Sequence, residues 1–298
     1  MRILITGCRG QLGRELTRQL SEGGSALGPL PEQYAGVLYD CVDIEDFDVG
    51  DRKPVINCIR GGSYDIVINC AAMTQVDACE TDPETAFRAN VLAAQNIAEA
   101  CELMDTKLVH LSTDYVFSGD TTSPYSEYEP TGPRSVYGKT KLAGEQLIRE
   151  RCRRYFIVRT QWLYGDGRNF VRTIAAAARK TGALRVVNDQ FGCPTSAVDL
   201  ASHLLYLALE GRFGVYHCVN HGVASWHEFA CEIVRLYGIE AEVAPCTTGE
   251  YPALAPRPAY SSLDNMMLRL TVGDRMRDWH EALAEYVQRE KNNEVTAT

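Results

Sequence analysis

The chain has 298 residues, 45% hydrophobic and 23% charged, with a net charge of −9, an ordinary globular composition long enough for one large α/β unit or two smaller ones. That acidic balance argues against nucleic acid or an anionic membrane as a partner, because a polyanion binder needs a basic stripe. Eleven scattered cysteines without a Cys-x-x-Cys pair predict buried free thiols in a reducing, cytoplasmic compartment, and the absence of any long apolar run predicts neither a signal peptide nor a membrane span.

Arg2 to Thr6 is a short apolar run with β-branched residues, followed at once by Gly7-Cys8-Arg9-Gly10-Gln11-Leu12-Gly13 and an amphipathic stretch through Leu20. This reads as strand, glycine turn and helix. Gly7 permits a tight turn, Gly10 lets backbone amides approach a pyrophosphate, and Gly13 lets the helix pack close on the strand. Further β-rich runs follow at Val37 to Val42, Asp65 to Cys70, Lys107 to Ser112, Tyr155 to Thr160 and Leu184 to Asn188, with helical patterns between them. Such alternation predicts a parallel sheet with crossover helices. Asp82-Pro83-Glu84 starts a helix over Ala86 to Met104, and Ser225-Trp226-His227-Glu228 is a capping box. Arg149 to Arg154 ends a helix, where cations suit the dipole.

Function in an open parallel sheet belongs at the carboxyl ends of the strands. Gly7 to Gly13, Asp43, Ala71-Ala72, Thr113-Asp114 and Gln161-Trp162 all fall there. In Tyr137-Gly138-Lys139-Thr140-Lys141 the Tyr and Lys are four apart and share a helix face. A fixed ammonium beside a phenol lowers its pKa from ~10 and makes it a usable acid. Alone this spacing is a common surface accident; with Thr113 and the glycine turn it is a constellation. Asp43 ends the second strand, where an acid bonds a free ribose 2′-hydroxyl, while Arg9 could compensate a 2′-phosphate. His217 and His221 lack a third ligand, so zinc is not expected, and the acids from Asp40 to Asp51 lack calcium-loop spacing. Residues 1–160 read as the nucleotide-binding part and 161–298 as a smaller substrate-binding region with segments returning to the sheet, punctuated by Gly and Pro from Pro245 to Pro258.

Several long segments carry a resemblance: Gly7 to Gly13, Val67 to Asp77, His110 to Phe117, Val136 to Glu145, Arg159 to Tyr164, Asn188 to Thr195 and Arg257-Pro258-x-x-Ser261. Through them the chain resembles the dTDP-4-dehydrorhamnose reductase family of extended short-chain dehydrogenase/reductases. The resemblance implies a Rossmann-type doubly wound sheet and NADPH- or NADH-dependent reduction of a dTDP-linked 4-keto-6-deoxyhexose. It implies Tyr137 as the acid, Lys141 as the group that lowers its pKa and bonds the nicotinamide ribose, so that both also belong to the cofactor site, and Thr113 as the group polarising the carbonyl. Gly7, Gly10, Gln11 and Leu12 would serve the pyrophosphate, Asp43 the ribose, Asp48 and Val49 the adenine, and Ala72, Met73 and Thr74 the cofactor wall. Met73 departs from the histidine of many relatives. Asp114, Trp162 and Arg257 would meet the sugar nucleotide, although a tryptophan after a buried strand is as readily core. Some members dimerise around Mg2+, and Glu15 and Asp199 stand at those positions; both also read as surface-helix acids.

A 4,6-dehydratase of the same superfamily would show Thr-Asp-Glu where this chain has Thr113-Asp114-Tyr115. The alternatives that stay open are another nucleotide-sugar reductase or epimerase, and a noncatalytic dinucleotide-binding regulatory subunit.

Overall fold

The computed structural model describes residues 1–251 and 253–296; Pro252, inside the Gly- and Pro-punctuated stretch, and residues 297–298 lie outside the described residues. Alternation along β1 (Arg2–Thr6) sets the layers. Ile3 and Ile5 pack with Leu12, Leu16 and Leu20 of α1 (Gln11–Glu22), whereas Leu4 packs on the opposite face with Val55 and Ile59 of α2 (Arg52–Gly62). Burial on both faces makes the inner strands near-continuously apolar, as in Ile66-Val67-Ile68 of β3 (Ile66–Asn69).

With β2 (Leu38–Val42), β4 (Lys107–Thr113), β5 (Tyr155–Thr160) and β7 (Gly214–His217), these strands form one six-stranded parallel sheet in the order β7-β5-β4-β3-β1-β2. The winding reverses between β1 and β3, which opens a crevice at their carboxyl ends. The run expected at Leu184 to Asn188 is a strand, β6 (Ala183–Val187), but it lies outside this sheet. It pairs in parallel with β8 (Glu242–Cys246) as a separate ribbon. The outer place belongs to β7, whose Tyr216 and His217 are buried through polar tips bonded to the carbonyls of Arg212 and Tyr125. Such residues give no apolar alternation to read.

α3 (Val76–Thr81) precedes the helix expected over Ala86 to Met104, which is three pieces: α4 (Pro83–Phe87), a π turn at Arg88–Leu92 and α5 (Ala93–Leu103). Asp82 caps it by accepting from the Thr85 N–H. α6 (Val136–Arg151), capped by Ser135, lies against this run. Glycines set the close approach of α6 both to this run, at Gly144, and to the segment after β4, at Gly138. A Cβ at Gly144 would come within 2.4 Å of Asn90 O, and one at Gly138 within 2.1 Å of Tyr115 O. Gly138→Ala is therefore expected to cost about 3 kcal/mol, since the obstruction is backbone, which a urea-unfolding midpoint measures; an unchanged midpoint would show that α6 can shift.

Residues after 160 build a second cluster and also return to the first. α7 (Phe170–Thr181), α9 (Trp226–Tyr237) and the C-terminal helix (Trp279–Thr296) pack together around Tyr164, Phe229 and Tyr286. α8 (Ala197–Leu209) instead lays Leu200 and Leu204 on the sheet beside α1. The arginines at the end of α6 pair with acids: Arg151 with Glu99, Arg153 with Glu102 and Arg154 with Asp105. All eleven cysteines are free thiols; Cys101 and Cys218 are among the buried ones and Cys41 is exposed. No helix among the described residues is long and apolar enough to cross a membrane.

Candidate active site

Gly7 ties three strand ends together. Its φ of +67° is left-handed, its N–H donates to Val42 O at 2.9 Å, and a Cβ there would come within 2.7 Å of Ala71 N. Gly10 stands at the N-cap of α1, and no side chain caps that helix, which leaves the first-turn N–H groups at Gln11 and Leu12 for an anion. Gln11 Oε1 is buried without a protein partner. Such a turn fits a dinucleotide pyrophosphate. Gly13 packs against the turn rather than the strand, because its Cβ would come within 2.5 Å of Gly7 O.

Asp43 follows β2 and accepts from the Arg9 N–H at 2.8 Å, while the Arg9 guanidinium pairs with Glu45 at 2.9 Å. A carboxylate and a guanidinium thus share this corner. Asp48 accepts from Arg88 Nε at 2.8 Å and Gly50 N at 2.7 Å. Burial alone would raise its carboxyl; the Gly50 N–H and Arg88 outweigh it and hold the group below its usual range. Val49 O accepts from Asn96 at 3.1 Å.

Thr113 ends β4, and its hydroxyl donates to Asp114 Oδ1 at 2.9 Å and accepts from Tyr115 N at 3.2 Å. Tyr137 lies on the first turn of α6, 8% exposed, its ring edge-on to Tyr115 with centroids 5.4 Å apart. Burial pushes its phenol well up; a hydrogen bond with Thr113 pulls it down, and Asp114 and Tyr115 push it further up. The expected lowering by Lys141 is not seen. Lys141 Nζ turns instead to Leu111 O, 2.6 Å away, and His110 Nε2, 3.4 Å away, because the end of β4 offers a carbonyl. Burial pushes Lys141 down to about 8, against Glu145 and Cys70, which favour its charge.

Burial likewise pushes Asp114 up to about 6 from 3.8, against hydrogen bonds from Ser261 and Thr113. A carboxyl raised on folding takes up a proton in that window, so its contribution to stability grows as pH falls from about 6 to 3.8 and is absent above it. Asp114→Asn is expected to remove this slope; unfolding free energies of both proteins across that range test it, and parallel curves would contradict it.

A family profile described as RmlD substrate binding domain matches residues 1–292. The chain belongs to that family. It is 39% identical to dTDP-4-dehydrorhamnose reductase of Mycolicibacterium smegmatis, over 96% of this chain and 85% of that one. Among solved structures, a dTDP-4-dehydrorhamnose reductase of Clostridium acetobutylicum matches with a TM-score of 0.92 and 43% identity, covering 98% of this chain and 100% of that one. The Bacillus anthracis dTDP-4-dehydrorhamnose reductase in complex with NADP matches with a TM-score of 0.90 and 36% identity, covering 97% and 99%. This RmlD-family chain is a Rossmann-type oxidoreductase of the extended short-chain dehydrogenase/reductase class.

In this family member, Ala72, Met73 and Thr74 follow β3, and the Met73 backbone is clamped by Asn90, whose amide accepts from Met73 N at 2.9 Å and donates to Met73 O at 3.1 Å. Asn90 also donates to Thr140 Oγ1 of α6 at 3.1 Å. It sits in the π turn, a distortion that recurs at functional sites. The sequence alone does not single it out, because Asn90 is one of several polar residues, with Arg88, Gln95 and Asn96, along this helical run.

Trp162 has a left-handed φ of +45°, a strained state for a bulky residue, and stacks on Trp226 at 3.5 Å between centroids. It is half-buried and packs on the second cluster. Arg257 donates to Asp77 at 2.8 Å and Tyr115 OH at 3.2 Å, which binds the late segment to α3 and to the loop after β4. Glu15 and Asp199 are not surface acids. Glu15 is buried between Arg18 and Gln19, and Asp199 between Arg277 and Asn220. No group of three potential metal ligands occurs among the described residues.

Proposed function

We propose that the chain uses NADPH or NADH to reduce the C4 keto group of dTDP-4-dehydro-L-rhamnose, giving dTDP-L-rhamnose for surface polysaccharide. The observation that carries this reading is the buried group of Thr113, Asp114 and Tyr137, which shares the sheet's carboxyl edge with the open glycine turn. The names of the relatives support the same substrate.

In this reading Gly7, Gly10, Gln11 and Leu12 hold the pyrophosphate, Asp48 and Val49 flank the adenine, and Ala72, Met73 and Thr74 line the cofactor. Asp43 suits a free 2′-hydroxyl and Arg9 a 2′-phosphate, so either cofactor has a partner. The reduced nicotinamide, when bound, supplies the hydride. Tyr137 holds its proton firmly at neutral pH because burial raises the phenol, and it delivers that proton to the C4 oxygen. Thr113 hydrogen-bonds the same oxygen as its charge develops. Lys141 in its ammonium form favours the phenolate left behind. Asp114, Trp162 and Arg257 orient the sugar nucleotide, with residues after 160 forming its side of the cleft.

Deuterium placed at both C4 positions of the reduced nicotinamide tests the step. The label is expected at C4 of the product sugar; a product labelled elsewhere or unlabelled would overturn the assignment.

A further inference from the structure

Thr6 on β1, Asn69 on β3 and His110 on β4 stand side by side in register across the sheet, all buried. Thr6 Oγ1 donates to Asn69 Oδ1 at 2.6 Å, Asn69 Nδ2 lies 2.9 Å from His110 Nδ1, and His110 Nε2 lies 3.4 Å from Lys141 Nζ. One end of this chain fixes the direction of the rest. The Ala71 N–H donates to Asn69 Oδ1 at 3.1 Å, and a backbone N–H can only donate, so the Asn69 oxygen faces Ala71 and its NH2 faces His110. His110 Nδ1 must then accept. A neutral imidazole carries one proton, which is left on Nε2, aimed at Lys141.

An ammonium at Lys141 would set two donors head to head. A neutral amine accepts the Nε2–H on its lone pair and still donates to Leu111 O. We propose that His110, locked by Asn69 as its Nε2–H tautomer, is a positioning residue that biases Lys141 toward the neutral amine, making Lys141 a switchable rather than a permanent charge. The other groups that act on Lys141 oppose this bias. Glu145 on its own helix and Cys70 after β3 favour the ammonium, but Glu145 is itself engaged by Arg159 and Ser112. Tyr137 lies one turn before it on α6. Burial acts with His110: it pushes Lys141 down to about 8, and burial and Lys141 together hold His110 well below its ordinary range. The help that Lys141 can lend Tyr137 therefore declines as pH rises through that region, well before an ordinary lysine would titrate.

The test is made on the whole protein without substrate, so it stands apart from the identity of the sugar. The chain has only six lysines and six histidines, which suits lysine carrying 13C at Cε, with the Lys141 signal identified by its loss in Lys141→Arg. The wild-type midpoint is expected clearly below the ordinary value of ~10.4. His110→Asn keeps an acceptor for Asn69 and removes the Nε2–H, so the Lys141 midpoint is expected to rise by about one unit, a tenfold gain in proton affinity. Long-range proton–nitrogen spectra of wild type are expected to show His110 bare at Nδ1 and protonated at Nε2. A proton on Nδ1, an ordinary wild-type midpoint, or an unmoved midpoint in folded His110→Asn overturns the proposal. Should that variant not fold, Asn69→Asp places a carboxylate at Nδ1 and draws the proton there, turning Nε2 into an acceptor. The midpoint is again expected to rise, and no rise overturns the proposal.

Discussion

Tyr137→Phe is expected to bind reduced dinucleotide about as wild type does and to turn over ~10²–10⁴-fold more slowly, the range that a positioned general acid contributes. Only the hydroxyl is removed. The ring keeps its edge contact with Tyr115 and its place beside Cys79 and Ala86, so the fold and the cofactor cleft have no reason to change. Fluorescence titration of the reduced dinucleotide together with single-turnover rates separates the two effects. A loss of binding with an unchanged chemical step would make Tyr137 a cofactor residue, and full turnover would remove it from the role of acid.

Arg159→Met should be the most destabilising change in the sheet. Arg159 on β5 and Glu145 on α6 are 1% and 0% exposed, and the guanidinium donates to both carboxylate oxygens, Nε at 2.9 Å and Nη2 at 2.7 Å. Removing the arginine leaves a buried carboxylate with Ser112 and, at 3.8 Å, the half-exposed Arg149 as its remaining partners, at a cost of about 3–5 kcal/mol. Adding Glu145→Leu to that variant should restore much of the loss, because the uncompensated charge goes with it. Urea unfolding of the single and double variants decides this. A single variant within about 1 kcal/mol of wild type would show that water or a rearranged cation reaches Glu145.

Of the strands that the sequence made legible, β1, β3, β4 and β5 are buried on both faces and β2 is a partly exposed edge strand; their carboxyl ends carry Gly7, Asp43, Ala72, Thr113 and Trp162 where parallel topology puts them. The sixth run, Leu184 to Asn188, is also β-rich but joins a separate ribbon, since residue pattern marks a strand and not its neighbour. Asn90 was hidden because a π turn adds a residue within a helix whose periodicity otherwise continues. The turning of Lys141 away from Tyr137 was hidden for another reason. Spacing of four puts two side chains on one helix face, but a long flexible chain chooses among acceptors, and the Leu111 carbonyl and His110 come from a strand 30 residues earlier. Asp199 looked exposed because its arginine partner Arg277 lies far along the chain; Glu15 pairs with Arg18 one turn away, and Arg289 from the far end of the chain adds a second contact at 3.7 Å.

The most direct measurement follows the absorbance of NADPH, and separately NADH, when the purified protein meets dTDP-4-dehydro-L-rhamnose, with the product sugar then identified. Rapid oxidation matched mole for mole by dTDP-L-rhamnose is expected. Tight dinucleotide binding with no sugar-dependent oxidation by either cofactor would contradict it.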